Sequence, residues 1–395
     1  MDNEGQCPPQ RPAGAVFTGA RRAESYFEEW PTELGGGGEP AASGEIVGLV
    51  PRMGDKSAKG ADMVGEDESV MESEALLLRV SQPEPAPPAP VTGRVEDVQP
   101  VIPTTAEQPR RSGFGLGRRG PSKAQLAAQQ IEADRTTIRL GSWSRSVGVL
   151  LANPKGGVGK TPSALILGGV IASIRGGQTC VFEVTDDPGA LAVRAEGPAR
   201  AGIAELVRDV GTIRGAGQLS GYVAQQTSYA AVIGTVHDRA ALSHTDVQNV
   251  SDLLGFFYPV RIMDSGNQAS SSAFYGAVAS ADVLVIPVLD AVDSVNGAHQ
   301  LARFLHRQGG HAAALGQNAI ALRIDDGRPV APDVRAYVAD ALASAGIRQV
   351  VNIPYDPHIA ERSTITLDRL RKPTIDAYTH AGAAVITQLT RRLNH

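Results

Sequence analysis

The residues of this chain best equipped for chemistry form one short run, Pro154-Lys155-Gly156-Gly157-Val158-Gly159-Lys160-Thr161. It follows an apolar stretch at 147–152 and leads into a helical pattern that reaches Arg175. Glycines let consecutive backbone N–H groups turn inward around phosphate oxygens, and a helix that starts there aims its positive end at the same anion. Gly156, Gly157, Val158 and Gly159 supply that cradle, Lys160 a point charge for the β- and γ-phosphates, and Thr161 a hydroxyl for Mg²⁺. Pro162 suits the first helical turn, where its missing N–H is not needed. An ordinary glycine-rich turn has no call for strand, lysine, hydroxyl and helix in this order. The chemistry implied is binding of a nucleoside triphosphate with Mg²⁺.

Phosphoryl transfer also needs a carboxylate associated with the metal and a group that orients the attacking water. Met263-Asp264-Ser265-Gly266-Asn267 closes a second apolar run and offers Asp264 for the metal. A strand-end Asp on its own serves equally well as a turn former or a helix cap. The phosphate loop upstream tips the reading toward function.

Such groups must be held by a sheet. Apolar runs at 147–152, 180–184, 230–236, 260–263, 283–288, 319–324 and 349–353 are strand candidates, with helical segments between them. Near-continuous apolar strands alternating with helices indicate an α/β fold, a mostly parallel sheet with helices on both faces. The last stretch, 375–393, has an apolar helical stripe with few bulky aromatics. It suits a final packing helix better than a membrane-surface anchor, so membrane contact is not expected.

Ahead of this domain the composition changes. Of 26 prolines, 14 fall in the first 120 residues, and Gly35–Gly38 adds a flexible run. Such a stretch cannot bury enough apolar surface to offset its ordering entropy. Residues 1–120 therefore read as a disordered acidic Pro/Gly-rich arm, 121–144 as a helical linker with a helix over 121–135, and 145–395 as the nucleotide-binding domain. Residues 1–109 carry 19 acidic and 8 basic side chains against −5 for the whole chain, which leaves the remainder at +6. Within the arm, 20–30 with Tyr26, Phe27 and Trp30, and 71–80 with Leu76, Leu77 and Leu78, are candidate docking elements. Cys7 and Cys180 are too few for a disulfide framework or zinc site, and the expected location is cytoplasmic.

The phosphate loop departs from the general pattern by having Pro154 where glycine is usual and a second lysine, Lys155, at the head of the glycine run. In this it resembles the deviant Walker A motif of the ParA/MinD family of P-loop ATPases. The resemblance implies that Lys155 crosses a dimer interface to the phosphates of a partner's ATP. Met263–Asn267 resembles the family's switch II, and Glu183-Val184-Thr185-Asp186-Asp187-Pro188 resembles its Asp-x-Asp-Pro segment, whose later Asp positions the hydrolytic water. Aligning on the Asp-Pro pair selects Asp187, whereas counting along the strand from Gly177 selects Asp186; Asp187 is preferred and Asp186 stays in play. Thr185 stands where the Asp-Pro register expects the earlier Asp. Ile353-Pro354-Tyr355-Asp356-Pro357-His358 resembles the segment whose backbone near Pro354 lines the adenine pocket, but 319–323 offers no counterpart to the family's base-contacting Asn.

What the resemblance implies is an ATPase that dimerises with ATP and positions or segregates cargo, with DNA as the leading cargo, as in plasmid or chromosome partition. A centromere-binding, ParB-like activator and an association with the nucleoid would accompany that role. The alternative is a MinD-like or secretion-associated ATPase that recruits protein partners through its arm. Arg362, Arg369, Arg371, Lys372, Arg391 and Arg392 form the sequence's candidate contact with DNA phosphates, although the acidic residues interleaved with them fit a solvated helix surface at least as well.

Overall fold

The structure, a computed structural model, describes residues 122–393. The arm, its two candidate docking elements and Cys7 lie outside the described residues.

Ser122 caps α1 (Lys123–Leu140) through a reciprocal box: its hydroxyl accepts from Gln125 N at 3.2 Å, and Gln125 Oε1 accepts from Ser122 N at 2.7 Å. The helix continues past the expected end at Arg135 because Ile138 is buried in the core and Gly141 closes the last turn through Thr137 O at 3.1 Å. Asp134, also buried, lies 2.9 Å from His380 on the last helix. The stretch read as a linker is therefore docked on the folded body.

Among the described residues eight strands form one sheet. They are β1 (Val147–Leu151), β2 (Thr179–Val184), β3 (Ala224–Gln225), β4 (Ala231–Ile233), β5 (Val260–Ser265), β6 (Val283–Leu289), β7 (Ile320–Ile324) and β8 (Gln349–Ile353). Their order is β3-β4-β2-β5-β1-β6-β7-β8, all parallel except the β3–β4 pair. All seven expected runs are strands; β3, only two residues long, has no apolar pattern of its own and exists by pairing with β4.

Both faces of the sheet are covered, as the near-continuous apolar strands require. Val147, Val149 and Leu151 point into one core layer, with α2 (Lys160–Arg175), α1 and α12 (Lys372–Leu393) packed over it. Leu150 points into the other, under α6 (His244–Phe257), α7 (Ser272–Ala279) and α8 (Val292–Gln308). As expected, the final stretch is a packing helix: Tyr378 and Leu389 of α12 are buried, and Tyr378 Oη lies 2.9 Å from Ser163 Oγ in α2. Cys180 is fully buried in β2, and burial pushes its thiol far above the usual range. Among the described residues no helix is long and apolar enough to cross a membrane.

Candidate functional site

The phosphate loop leaves the end of β1, and α2 begins at its far side. Gly157 and Gly159 adopt left-handed φ values of 76° and 90°, which side chains rarely tolerate. Gly159 is the N-cap of α2 and contributes no side-chain cap, so the first-turn N–H groups stay available to an anion. Asn153 anchors the loop's entry: its Nδ2 donates to Pro287 O at 2.9 Å and Ser294 O at 3.2 Å, while Oδ1 accepts from Lys155 N at 3.0 Å. Helix α8 can come this close because Gly297 has no side chain; a Cβ there would stand 2.4 Å from Asn153 Oδ1.

The two lysines of the loop are placed differently. Lys160 points inward and is buried, its Nζ donating to Asn153 O at 3.0 Å, Lys155 O at 3.3 Å and Asn267 Oδ1 at 2.6 Å. Burial lowers its pKa, an effect partly opposed by the charge of Asp264. Lys155 lies on the outer lip, half exposed, and pairs at 2.9 Å with Asp293 in the first turn of α8. That contact is the main reason the Asp293 carboxyl is held below its usual range.

Asp264 sits beside the loop because β5 is the neighbour of β1, in a register that sets Leu151 against Asp264. Its Oδ2 accepts from Thr161 Oγ1 at 2.7 Å, while its buried Oδ1 has no hydrogen-bond partner. Burial pushes the Asp264 carboxyl up to about 7, with Glu183 adding to the rise and Thr161 and Lys160 opposing it. A buried carboxylate oxygen left unpaired beside a threonine hydroxyl is a poor packing choice but a fitting one for a hard divalent cation. Thr161 and Asp264 are the residues that would hold Mg²⁺ there.

On the other side of β5, Glu183 of β2 stands in register with Asp264. Burial pushes the Glu183 carboxyl up, but donors from Thr235, Arg239, Gly189 N and Thr185 outweigh it and keep the group ionised below its usual pKa. Arg239 is buried against it, at 2.8 Å. The same guanidinium donates to the carbonyls of Asp186 at 2.8 Å, Thr185 at 3.0 Å and Asp187 at 3.1 Å. One buried ion pair thus fixes three successive carbonyls of the candidate switch segment. Removing either partner alone would strand a buried charge, at a cost of about 3–5 kcal/mol.

Within that segment Asp187 is exposed. Asp186 is half-buried, its Oδ2 3.6 Å from where a Cβ would stand on Gly266 in the loop after β5. Turnover separates the two: Asp187→Ala is expected to slow ATP hydrolysis about 10²-fold and Asp186→Ala much less, the scale of losing one preorganised group. If Asp186→Ala alone stops hydrolysis, the register is that of the strand rather than of the Asp-Pro pair.

A cavity of about 740 Å³ opens from the phosphate loop, a size suited to a nucleotide. Pro354 borders it, together with Tyr355, Asp326 and Arg328. Asp325, Asp326 and Arg328 follow β7 and are brought in by strand order; Arg328 pairs with Asp326.

The candidate DNA-contact cluster is not one patch. Arg369 pairs with Glu361 at 3.1 Å and Lys372 with Asp376 at 2.6 Å, while Arg392 donates to Asp282 O at 2.5 Å. Lys372 and Arg391 lie near opposite ends of α12, roughly 28 Å apart at 1.5 Å per residue. Closeness in sequence does not survive the length of a helix.

No protein-family model matches the chain, and no curated protein matches it. Solved structures do. ParA- and MinD-type ATPases are among its structural neighbours. The ParA family ATPase of Chlorobium tepidum TLS aligns over 64% of this chain and 98% of its own, at 13% identity and a TM-score of 0.48. The cell division ATPase MinD of Pyrococcus furiosus covers 61% and 98%, at 14% identity and 0.47. Cobyrinic acid a,c-diamide synthase of Mycobacterium smegmatis, with ADP and magnesium bound, covers 62% and 95%, at 15% identity and 0.41.

Proposed function

We propose that the chain is an ATPase that dimerises on ATP and positions cargo, hydrolysing ATP to ADP and phosphate slowly and under the control of a partner. The observation that carries this reading is the division of labour between two lysines of one loop. Lys160 turns inward to where the phosphates would lie. The Lys155 side chain stands outside on the lip, in an exposed pair with Asp293. An exposed pair of this kind contributes about 0–1 kcal/mol, so Lys155 is free to exchange Asp293 for a stronger anionic partner such as the phosphates of a second subunit's ATP.

In this reading the loop N–H groups and Lys160 bind the triphosphate, and Thr161 and Asp264 hold Mg²⁺. The metal, when bound, screens the phosphate charge and so eases attack by water. Glu183 and Arg239 hold the segment carrying Asp186 and Asp187 so that one of the two carboxylates meets the attacking water. Pro354 and Tyr355 supply a wall for the base.

Lys155→Ala is expected to keep ATP affinity within about threefold of the parent and to lose ATP-dependent dimerisation, read by light scattering with ATP and Mg²⁺. A variant that dimerises like the parent refutes the cross-subunit role. DNA remains the leading cargo, with a ParB-like activator as the matching partner. The second reading, recruitment of protein partners, is favoured by the neutralisation of Arg369 and Lys372 by carboxylates. Anisotropy with mixed-sequence duplex DNA across a salt series, with ATP and with ADP, decides between them.

A further inference from the structure

At the end of the sheet away from the phosphate loop, a second and larger concavity of about 840 Å³ opens. The starts of β7 and β8 form its floor, and the C-terminal parts of α8 and α12 its sides. Its wall carries Arg303, Arg307, Arg348 and Arg391, with His299 and His306, and no Asp or Glu. Several arginines elsewhere sit beside a carboxylate, among them Arg145 with Asp282, Arg323 with Asp290 and Arg369 with Glu361. Among the described residues, none of the four arginines of the concavity has an ion-pair partner.

Four guanidiniums sharing one hollow repel each other, and the concave wall focuses their field on its interior. Burial comes first in holding His299 below its usual pKa, and the charge of Arg303, part of the same positive field, adds to it. An anion would relieve it. All four fixed cations are arginine, whose planar fork grips phosphate in two parallel hydrogen bonds. The amides of Gln317 and Gln349 line the same wall and add donors. The volume is that of a small-molecule site, and a convex duplex would bridge the rim rather than fill the hollow.

We propose that this concavity is a second ligand site that takes a compact, multiply phosphorylated small molecule. It is distinct from the nucleotide site. Asp293, beside Lys155, is in the first turn of α8, while Arg303 lies ten residues further along the helix, about 15 Å away. The same helix touches both sites, so a ligand in the hollow bears on the element that holds Lys155.

The test is calorimetric titration of the full chain with inorganic tripolyphosphate, in the parent, in Lys160→Ala and in Arg303→Ala/Arg348→Ala. Both arginines are exposed, so the double variant should fold, which a thermal melt verifies; Arg307→Ala/Arg391→Ala replaces it if it does not. The parent is expected to bind two equivalents, one in the phosphate loop and one in the hollow, and each variant one. In Lys160→Ala protein, adding the arginine changes should weaken the remaining equivalent at least about tenfold, the scale of one lost charge-assisted contact. Because Lys160→Ala takes the loop's own cation away, this arm does not depend on the ATPase reading. Comparing ATP with tripolyphosphate there tells whether a free nucleotide or phosphate alone is recognised. Titrations that superimpose with and without the two arginines overturn the site. So does an arginine effect confined to duplex DNA or to polyglutamate, which would make the hollow a macromolecular contact.

Discussion

Replacing Asp264 by Asn should give a nucleotide-free protein that withstands heat better than the parent above pH 7, yet turns over Mg²⁺-ATP at least about 100-fold more slowly. The stability gain follows from the buried carboxyl, whose pKa in the folded protein is about 7. In the unfolded chain an Asp titrates near 3.9. Below about pH 4 both states are protonated and the group costs nothing. Between pH 4 and 7 the unfolded state ionises while the folded one does not, so folding takes up a proton and stability falls as pH rises. Above pH 7 the penalty levels off at about 4 kcal/mol, from three pH units at 1.36 kcal/mol each. Asn keeps an acceptor for Thr161 and carries no charge to bury. The parent and variant melting curves should therefore converge near pH 4 and separate by on the order of 10 °C at pH 8. A variant less stable than the parent at pH 8, or a gap that ignores pH, would show that Asp264 is not the strained group. Normal turnover would remove it from the metal site.

The second large effect is at Lys160. Lys160→Ala should weaken ATP binding by about 10²–10³-fold, the 3–4 kcal/mol expected when a desolvated, charge-assisted contact is lost. The ammonium has already been drawn out of water by the loop, where it bonds to Asn153 O, Lys155 O and Asn267 Oδ1. Much of the cost of burying it is thus met before nucleotide arrives, and its partners are ones that phosphate oxygens can replace. Equilibrium binding of a labelled ATP measures the loss. Parent-like affinity in the variant would end the assignment of 154–161 as a phosphate loop.

Much of this fold is legible in the sequence, and the reason is physical. Strands buried on both faces are apolar nearly throughout, so β1 and β6 stand out from the helices around them. The phosphate loop is legible because its chemistry is local: glycines, lysine and hydroxyl act within eight residues. The rest of the site depends on which strands become neighbours. Asp293 meets Lys155 only because β6, the strand before α8, lies beside β1. Arg239 reaches the switch segment from more than 50 residues downstream, and an isolated arginine in a polar loop carries no sign of it. Asn267 did have a signal, three positions after Asp264 on the same turn. The basic cluster at 362–392 shows the converse, residues near one another in sequence and separated in space by a helix.

The buried thiol of Cys180 gives the molecule an internal clock. Cys180 lies in β2, flanked by β4 and β5, with its sulfur shut away from solvent and its thiolate strongly disfavoured. A reagent that needs a thiolate can reach it only when the middle of the sheet comes apart. When closing is fast relative to modification, the rate of labelling reports the population of that open form. The time course of one chemical reaction at one atom would then read the cohesion of the whole nucleotide-binding body, in native buffer and without denaturant. Any ligand that gripped the folded form would be seen as a slowing of that reaction, by the factor 1 + [L]/Kd.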